Sequence, residues 1–377
     1  MKQKIALLYL KTGGGHLSGA KAISRVLSES YSDTSVPVLH DGFTGRMRHH
    51  RFFFEFGYQF STNYFESFYV LFYYLTRNTF LVRLLKPVMS SQISTNLARF
   101  IRREGITKVV VLHSLLVTMA RDAIDSVDPS IPLITVVMDP FSAHYGWFYE
   151  KRTELIVFSR KLLREATDRY SFPADKIHLF PFMLSPRFSK PFTEEEKQAA
   201  RKRLGFSPDT KIILIAGGGE GLKGAGNLVK AFLKQDLGVH IAVVCGKNRL
   251  LKKSLDSLSS RLPPGRLSVY GFVDFMSDLM NVSDCIVTKG GPSTVMEALA
   301  VRKPVILSTF IRPQERGNML FIVENKVGWY YSDPAKVVAQ ARNVLENSGL
   351  NSSVLEKIDA LQIRNGIDDI VRFIHDY

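Results

Sequence analysis

The chain has 377 residues, of which 45% are hydrophobic and 23% charged, with a formal net charge of +15. That length supports two domains of ordinary size, and that composition excludes a disordered or collagen-like chain. The positive balance calls for an anionic partner, with nucleic acid and an anionic membrane surface as the candidates.

The first elements read as strand, turn and helix. Lys4–Leu10 is an apolar run suited to a buried strand, and Thr12-Gly13-Gly14-Gly15-His16 follows it. A helix with Leu17, Ala20, Ile23 and Leu27 on one stripe comes next. The glycines let the backbone approach a ligand closely, and His16 falls at the helix N-terminus. No Gly-Lys-Ser/Thr closes the loop, which excludes a P-loop. Ser18 stands where a dinucleotide fingerprint needs its third glycine, although Asp41 at the end of the second strand would suit a ribose. The N-terminal apolar run is too short for a signal peptide. No apolar stretch reaches the ~18–20 residues of a membrane span, so no transmembrane helix is expected.

Residues 46–87 differ from their surroundings. RHHRFFFEFGYQF and YFESFYVLFYYL are dense in Phe and Tyr, with Arg48, Arg51, Arg77 and Arg83 among them. Aromatics with basic flanks suit an interfacial membrane segment; the competing reading is a helical pair with its rings in the core. Buried-strand runs then return at Lys108–His113, Leu133–Met138, Glu154–Phe158 and Lys176–Phe182. Asp139 falls at the C-terminal end of its strand, where α/β sites lie, with His144 and Trp147 close behind it.

Pro181, Pro186 and Pro191 read as an interdomain linker, and the charged stretch Glu194–Arg203 opens a second domain. Lys211–Ala216 is its first strand, followed by a second Gly-rich turn at Gly218, Gly219, Glu220 and Gly221. Strands at His240–Cys245 and Leu267–Tyr270 follow, the latter ending in Gly271-Phe272-Val273. Cys245 and Cys285 lie inside apolar runs and read as buried free thiols, which fits a reducing compartment. No Cys and His spacing suggests zinc.

The block from Asp284 to Asn318 carries the most chemistry. It reads as strand, Gly-rich turn, helix, strand and polar loop. Gly290 and Gly291 make the turn, Pro292 suits the first helical position, and Ser293 and Thr294 stand in the first turn. The unpaired N–H groups and positive dipole end there form an anion site, with a phosphate as natural occupant. Glu297 lies four residues after Ser293 on the same face, placed to accept both hydroxyls of a ribose. Gln314 and Glu315 follow the next strand, Pro304–Thr309, and suit sugar hydroxyls.

GGPSTVMEAL followed by RPQERGN resembles the donor site of glycosyltransferases with two facing Rossmann-like domains and a donor cleft between them, the GT-B fold. The block is most similar to the diacylglycerol glycosyltransferases, meaning monogalactosyldiacylglycerol synthases and bacterial glucosyl relatives. A more distant likeness is the lipid II-forming N-acetylglucosaminyltransferase. The resemblance implies an α/β chain with an acceptor and membrane-binding domain over 1–187 and a UDP-sugar-binding domain over 188–354. A final helix over 355–377 is expected to return to the first domain. It implies a donor role for Asn318, backbone and apolar contacts to uracil at Phe272 and Val273, and acceptor-side roles for Gly14, Gly15, His144 and Trp147. TGGGH matches the family's N-terminal motif. Asp139, His144, Trp147 and Phe148 match its acidic, His and Trp sequence, although the residues between them differ.

The reading is an inverting, metal-independent hexosyltransferase using a UDP-hexose and the hydroxyl of diacylglycerol at the cytoplasmic membrane face, attached peripherally. No metal, organic cofactor or nucleic acid is expected. Asp139 is preferred as general base with His16 orienting acceptor or donor, and the reverse assignment stays open. Alternatives are a transferase with another lipid-linked acceptor, a UDP-sugar epimerase, a dinucleotide-dependent enzyme using Gly13, Gly15 and Asp41, and a nucleic-acid-binding protein.

Overall fold

The computed structural model describes residues 2–11, 14–43, 70 and 79–377. The chain divides into two compact units, the first comprising Met1–Met183, Arg312–Gln314 and Gly366–Tyr377, the second Leu184–Ile311 and Glu315–Asn365. Each is built around a six-stranded sheet whose paired strands are all parallel.

In the first unit, β1 (Gln3–Tyr9) leads through α1 (Gly14–Ser30) to β2 (Ser35–Asp41). After α2 (Thr79–Glu104) the chain enters β3 (Lys108–Val111), α3 (Val117–Asp125), β4 (Leu133–Val136) and β5 (Glu154–Val157). The short α4 (Arg160–Arg164) precedes β6 (Ile177–Leu179). The sheet order is β2-β1-β3-β4-β5-β6. Helices cover parallel strands on both faces, so β3 and β5 are buried along their length, as near-continuous apolar runs predict. The order reverses between β1 and β3. Loops leaving those two strands therefore diverge and open a crevice at their carboxyl ends.

The second unit starts with α5 (Glu194–Leu204). Thr193 Oγ1 accepts the Glu196 N–H at 3.2 Å and Glu196 Oε2 accepts the Thr193 N–H at 2.8 Å, a reciprocal cap that fixes where the helix begins. Then follow β7 (Ile212–Ala216), α6 (Ala225–Gln235), β8 (His240–Val244), α7 (Arg249–Ser259), β9 (Leu267–Tyr270) and α8 (Met276–Val282). The second half runs β10 (Cys285–Lys289), α9 (Pro292–Ala300), β11 (Val305–Thr309), α10 (Arg316–Glu324), β12 (Gly328–Tyr330), α11 (Pro334–Glu346) and α12 (Ser348–Ala360). The order β12-β11-β10-β7-β8-β9 is that of a Rossmann sheet, with its switch point between β7 and β10. Its core joins Ile213, Ile215, Val243, Val287 and Ile306 from the strands to Val229 and Phe232 of α6. Each fully buried aliphatic side chain contributes about 1.5–3 kcal/mol relative to exposure. Buried Arg201 stitches α5 to this core, donating to the carbonyls of Pro208 and Thr210 at 2.6 and 3.0 Å and to that of Val282 at 3.1 Å.

The chain's end differs from the single returning helix expected over 355–377. It breaks into α12, which stays with the second unit, and α13 (Ile367–Asp376), which joins the first. Gly366 marks the passage, where a Cβ would collide with the Pro181 carbonyl oxygen. Buried Lys108 anchors α13 by donating to the carbonyls of Ile374 and His375 at 2.7 and 2.9 Å. A cation on the last carbonyls satisfies orphan acceptors and complements the helix dipole. Tyr377 adds a hydrogen bond from its hydroxyl to Glu154 Oε1 at 2.9 Å.

Arg48, Arg51 and Arg77 lie outside the described residues, and Arg83 stands in α2. Among the described residues no helix is long and apolar enough to cross a membrane. Cys245 and Cys285 are free thiols, both buried.

Candidate active site

The switch point of the second unit gathers most of the expected donor residues. The turn after β7 runs through Gly218 and Gly221, both left-handed with φ of 74° and 76°. A Cβ on Gly221 would sit 2.7 Å from the Cys245 carbonyl oxygen, so this close approach needs glycine. Gly219 and Glu220 occupy the tip, where the Gly219 carbonyl accepts the Lys247 N–H at 2.8 Å. Across the switch point, Gly290 and Gly291 lead from β10 into α9. Gly291 is the N-cap and supplies no side-chain cap, and Pro292 opens the helix. The N–H groups of Ser293 and Thr294 thus lie at a helix end without a side-chain cap, with a positive partial charge.

Glu297 stands one turn further along α9. It keeps some solvent contact, but the surrounding protein strips water from it and pushes its carboxyl up to about 8. Among the described residues this carboxyl has no hydrogen-bond or ion-pair partner.

Glu315 has a different place from the one expected. Its carboxylate is buried, with Oε1 bound to Lys289 Nζ at 2.6 Å and Oε2 accepting the Ile311 N–H at 2.9 Å. Those bonds occupy the side chain in holding its own loop, so it is not presented for a sugar hydroxyl. Asn318 is likewise buried and donates from Nδ2 to the Gly290 carbonyl at 2.8 Å, fixing the Gly-rich turn. Phe272 and Val273 follow β9, the edge strand, and the Phe272 ring is 69% exposed. Lys289 was not singled out in the sequence. It reads there as the polar end of a strand, and its partner Glu315 lies 26 positions away.

The first unit assembles a second group at the crevice between β1 and β3. His16 lies in the first turn of α1, with Gly14 and Gly15 just before it. Its Nδ1 is 2.6 Å from the Leu112 carbonyl, which only accepts, so Nδ1 carries the proton. Burial lowers the imidazole to about 4, so the ring is neutral near pH 7 and Nε2 holds a lone pair. His113 packs beside it with ring centroids 4.6 Å apart. Burial and its two histidine neighbours, His16 and His144, keep His113 well below the usual range.

Asp139 lies three residues beyond β4 and is buried. Trp147, in the short turn Tyr145–Trp147, donates from Nε1 to Asp139 Oδ2 at 2.9 Å. Gln314, which clusters with this unit, approaches Oδ1 with its Nε2 at 3.4 Å. His144 caps the turn, its Nδ1 accepting the Gly146 N–H at 3.0 Å. The Asp139 carboxylate is thus engaged by Trp147 and Gln314, whereas His16 Nε2 has no hydrogen-bond partner among the described residues.

The two halves match two family descriptions. The Monogalactosyldiacylglycerol (MGDG) synthase family matches residues 16–180, and the Glycosyltransferase family 28 C-terminal domain matches residues 212–369. Each match covers under half of the chain, and together they span most of it. It is 27% identical to monogalactosyldiacylglycerol synthase 1 of Arabidopsis thaliana, covering 98% of this chain and 71% of that one. It is 27% identical to the spinach synthase, covering 100% and 74%. Among solved structures, Acinetobacter baumannii MurG aligns over all of both chains at a TM-score of 0.68 and 14% identity. The UDP-GlcNAc 2-epimerase of Neisseria meningitidis aligns over 100% and 99% at 0.60 and 15% identity. These structural likenesses establish the GT-B fold, which hosts transferases and an epimerase alike. The two family matches, with the synthases among its relatives, make this chain a glycosyltransferase.

Proposed function

We propose that this chain transfers a hexose, galactose by the names of its relatives, from a UDP-sugar to the hydroxyl of diacylglycerol. The observation carrying the donor half is the switch point between β7 and β10. Two Gly-rich turns, an uncapped helix end and the unpaired Glu297 carboxyl stand within one Rossmann unit. Backbone N–H groups of α9 and the Gly218–Gly221 turn would face the diphosphate, Glu297 the ribose hydroxyls, and the exposed Phe272 ring the uracil.

On the acceptor side, His16 Nε2 takes the proton from the acceptor hydroxyl as its oxygen bonds to the anomeric carbon. The bond from that carbon to the diphosphate oxygen breaks, and UDP leaves with the electron pair. A single displacement inverts the anomeric configuration. The helix end stabilises charge growing on the leaving diphosphate, and in this proposal that field takes the place of a divalent cation. The basic aromatic stretch 46–87 supports a peripheral site at a membrane face, taken here as the cytoplasmic one, where an acceptor that stays in its bilayer is met.

The test is a product assay. Purified protein is mixed with diacylglycerol vesicles and UDP-galactose, UDP-glucose or UDP-N-acetylglucosamine in excess chelator. A monohexosyl lipid from UDP-galactose is expected. Absence of any glycolipid, with free hexose or an epimerised nucleotide sugar instead, would overturn the reading.

A further inference from the structure

Lys289 occupies the position between the two turns. It is the last residue of β10, and β10 pairs with β7 directly across the switch point. A Cβ built on Gly291 would lie 3.3 Å from its Cε and 3.4 Å from its Nζ, and one on Gly218 would lie 3.7 Å from its Cε. The lysine stem thus runs through space that both glycines leave open. Its ammonium is held by the buried Glu315 carboxylate at 2.6 Å, yet the side chain remains 28% exposed.

This is an unusual setting for a purely structural ion pair. The buried partner is anchored twice, through Oε2 to the Ile311 N–H and through its backbone N–H to the Ile311 carbonyl at 2.7 Å. The cation is the exposed member, and it stands where two Gly-rich turns and a helix N-terminus meet. An ammonium has three donors, and Glu315 Oε1 takes one. We infer that Lys289 is a further donor-site residue, whose ammonium contacts the diphosphate of the nucleotide sugar and neutralises charge on the departing nucleoside diphosphate. Glu315 is its positioning residue, aiming the ammonium between the turns. This inference rests on the UDP-sugar reading above.

Calorimetry on the full chain with UDP and with uridine tests it. Lys289→Met is expected to weaken UDP binding by about tenfold to a hundredfold, the range of a charge-assisted hydrogen bond, and to leave uridine binding unchanged. Lys289→Arg keeps the charge and should retain most of the UDP affinity. Because Lys289→Met leaves a buried carboxylate unpaired, the double variant Lys289→Met/Glu315→Gln removes both charges together. If the double variant binds UDP as tightly as the unmodified protein, the lysine serves only Glu315 and the inference falls. Equal losses for UDP and uridine would also overturn it, since uridine has no phosphate. If the unmodified protein binds neither ligand, the donor reading itself fails, which is a distinct result.

Discussion

Replacing Glu297 by Gln tests the donor site through protons as well as affinity. The carboxyl of the free protein titrates at about 8 because burial opposes its charge. Ribose hydroxyls bind best to the ionised form, which accepts from both. At pH 7, one unit below that value, only about one molecule in eleven carries the ionised form, so apparent affinity is about tenfold below intrinsic, roughly 1.4 kcal/mol. Raising the pH from 6 to 8.5 should therefore tighten binding of a UDP-hexose by more than tenfold, with nearly one proton released per ligand bound at pH 7. A UDP-hexose is the right probe because its diphosphate, esterified at both ends, has no proton to lose in that range. Titration calorimetry in buffers of different ionisation enthalpy reads the released proton directly. Glu297→Gln should bind more weakly at pH 8.5, with no proton release and little pH dependence. The same residue affects stability with a definite sign. Its raised value means the folded state keeps a proton that the unfolded state loses, so the ligand-free protein loses stability between about pH 4.5 and 8. Thermal melts of the Gln variant should lack that part of the decline. Unchanged affinity and unchanged proton release in a folded Gln variant would refute the ribose assignment.

His16→Ala should lower kcat by about 10²–10⁴-fold while UDP affinity stays near that of the unmodified protein, as loss of a general base predicts. At saturating donor, kcat should hold down to about pH 4 and fall below it, because the imidazole works as base only when unprotonated; a limb near pH 6.5 would contradict the burial argument. Asp139→Asn, which keeps an oxygen for Trp147, should lose less activity than His16→Ala in the same assay. Lys108→Met should strip two carbonyls of α13 of a charged donor and destabilise the chain by about 1.5–3 kcal/mol in urea titrations, without changing the UDP affinity of the remaining folded protein. Converting Arg48, Arg51, Arg77 and Arg83 to Glu should abolish flotation with anionic vesicles and spare UDP binding; undiminished flotation would remove this segment from the membrane contact.

The strands were legible in the sequence because parallel strands buried on both faces leave near-continuous apolar runs, as in Val109–Val111 and Ile212–Ala216. β12, only Gly328–Tyr330, gave no such signal; its pairing with β11 makes it a strand. The broken C-terminus was missed because 355–377 carries no Pro. Between α12, which ends at Ala360, and α13, the chain brings Gly366 against Pro181, a contact between distant positions.

The same division runs through the site. Gly290, Gly291, Pro292, Ser293 and Glu297 could be read as a turn, a helix end and a carboxyl one turn on, because every relation among them is local and helical geometry fixes it. Sequence-local signals also set the capping box at Thr193 and the Gly-rich turns after β1 and β7. Roles that depend on partners far along the chain were decided only by folding. The Leu112 carbonyl, 96 positions from His16, sets its tautomer and leaves Nε2 without the proton. Trp147 claims one oxygen of Asp139, and Lys289 with the Ile311 N–H claims both oxygens of Glu315. A carboxylate or an imidazole has the same formula wherever it stands; its basicity and its availability belong to the neighbours that the tertiary structure delivers.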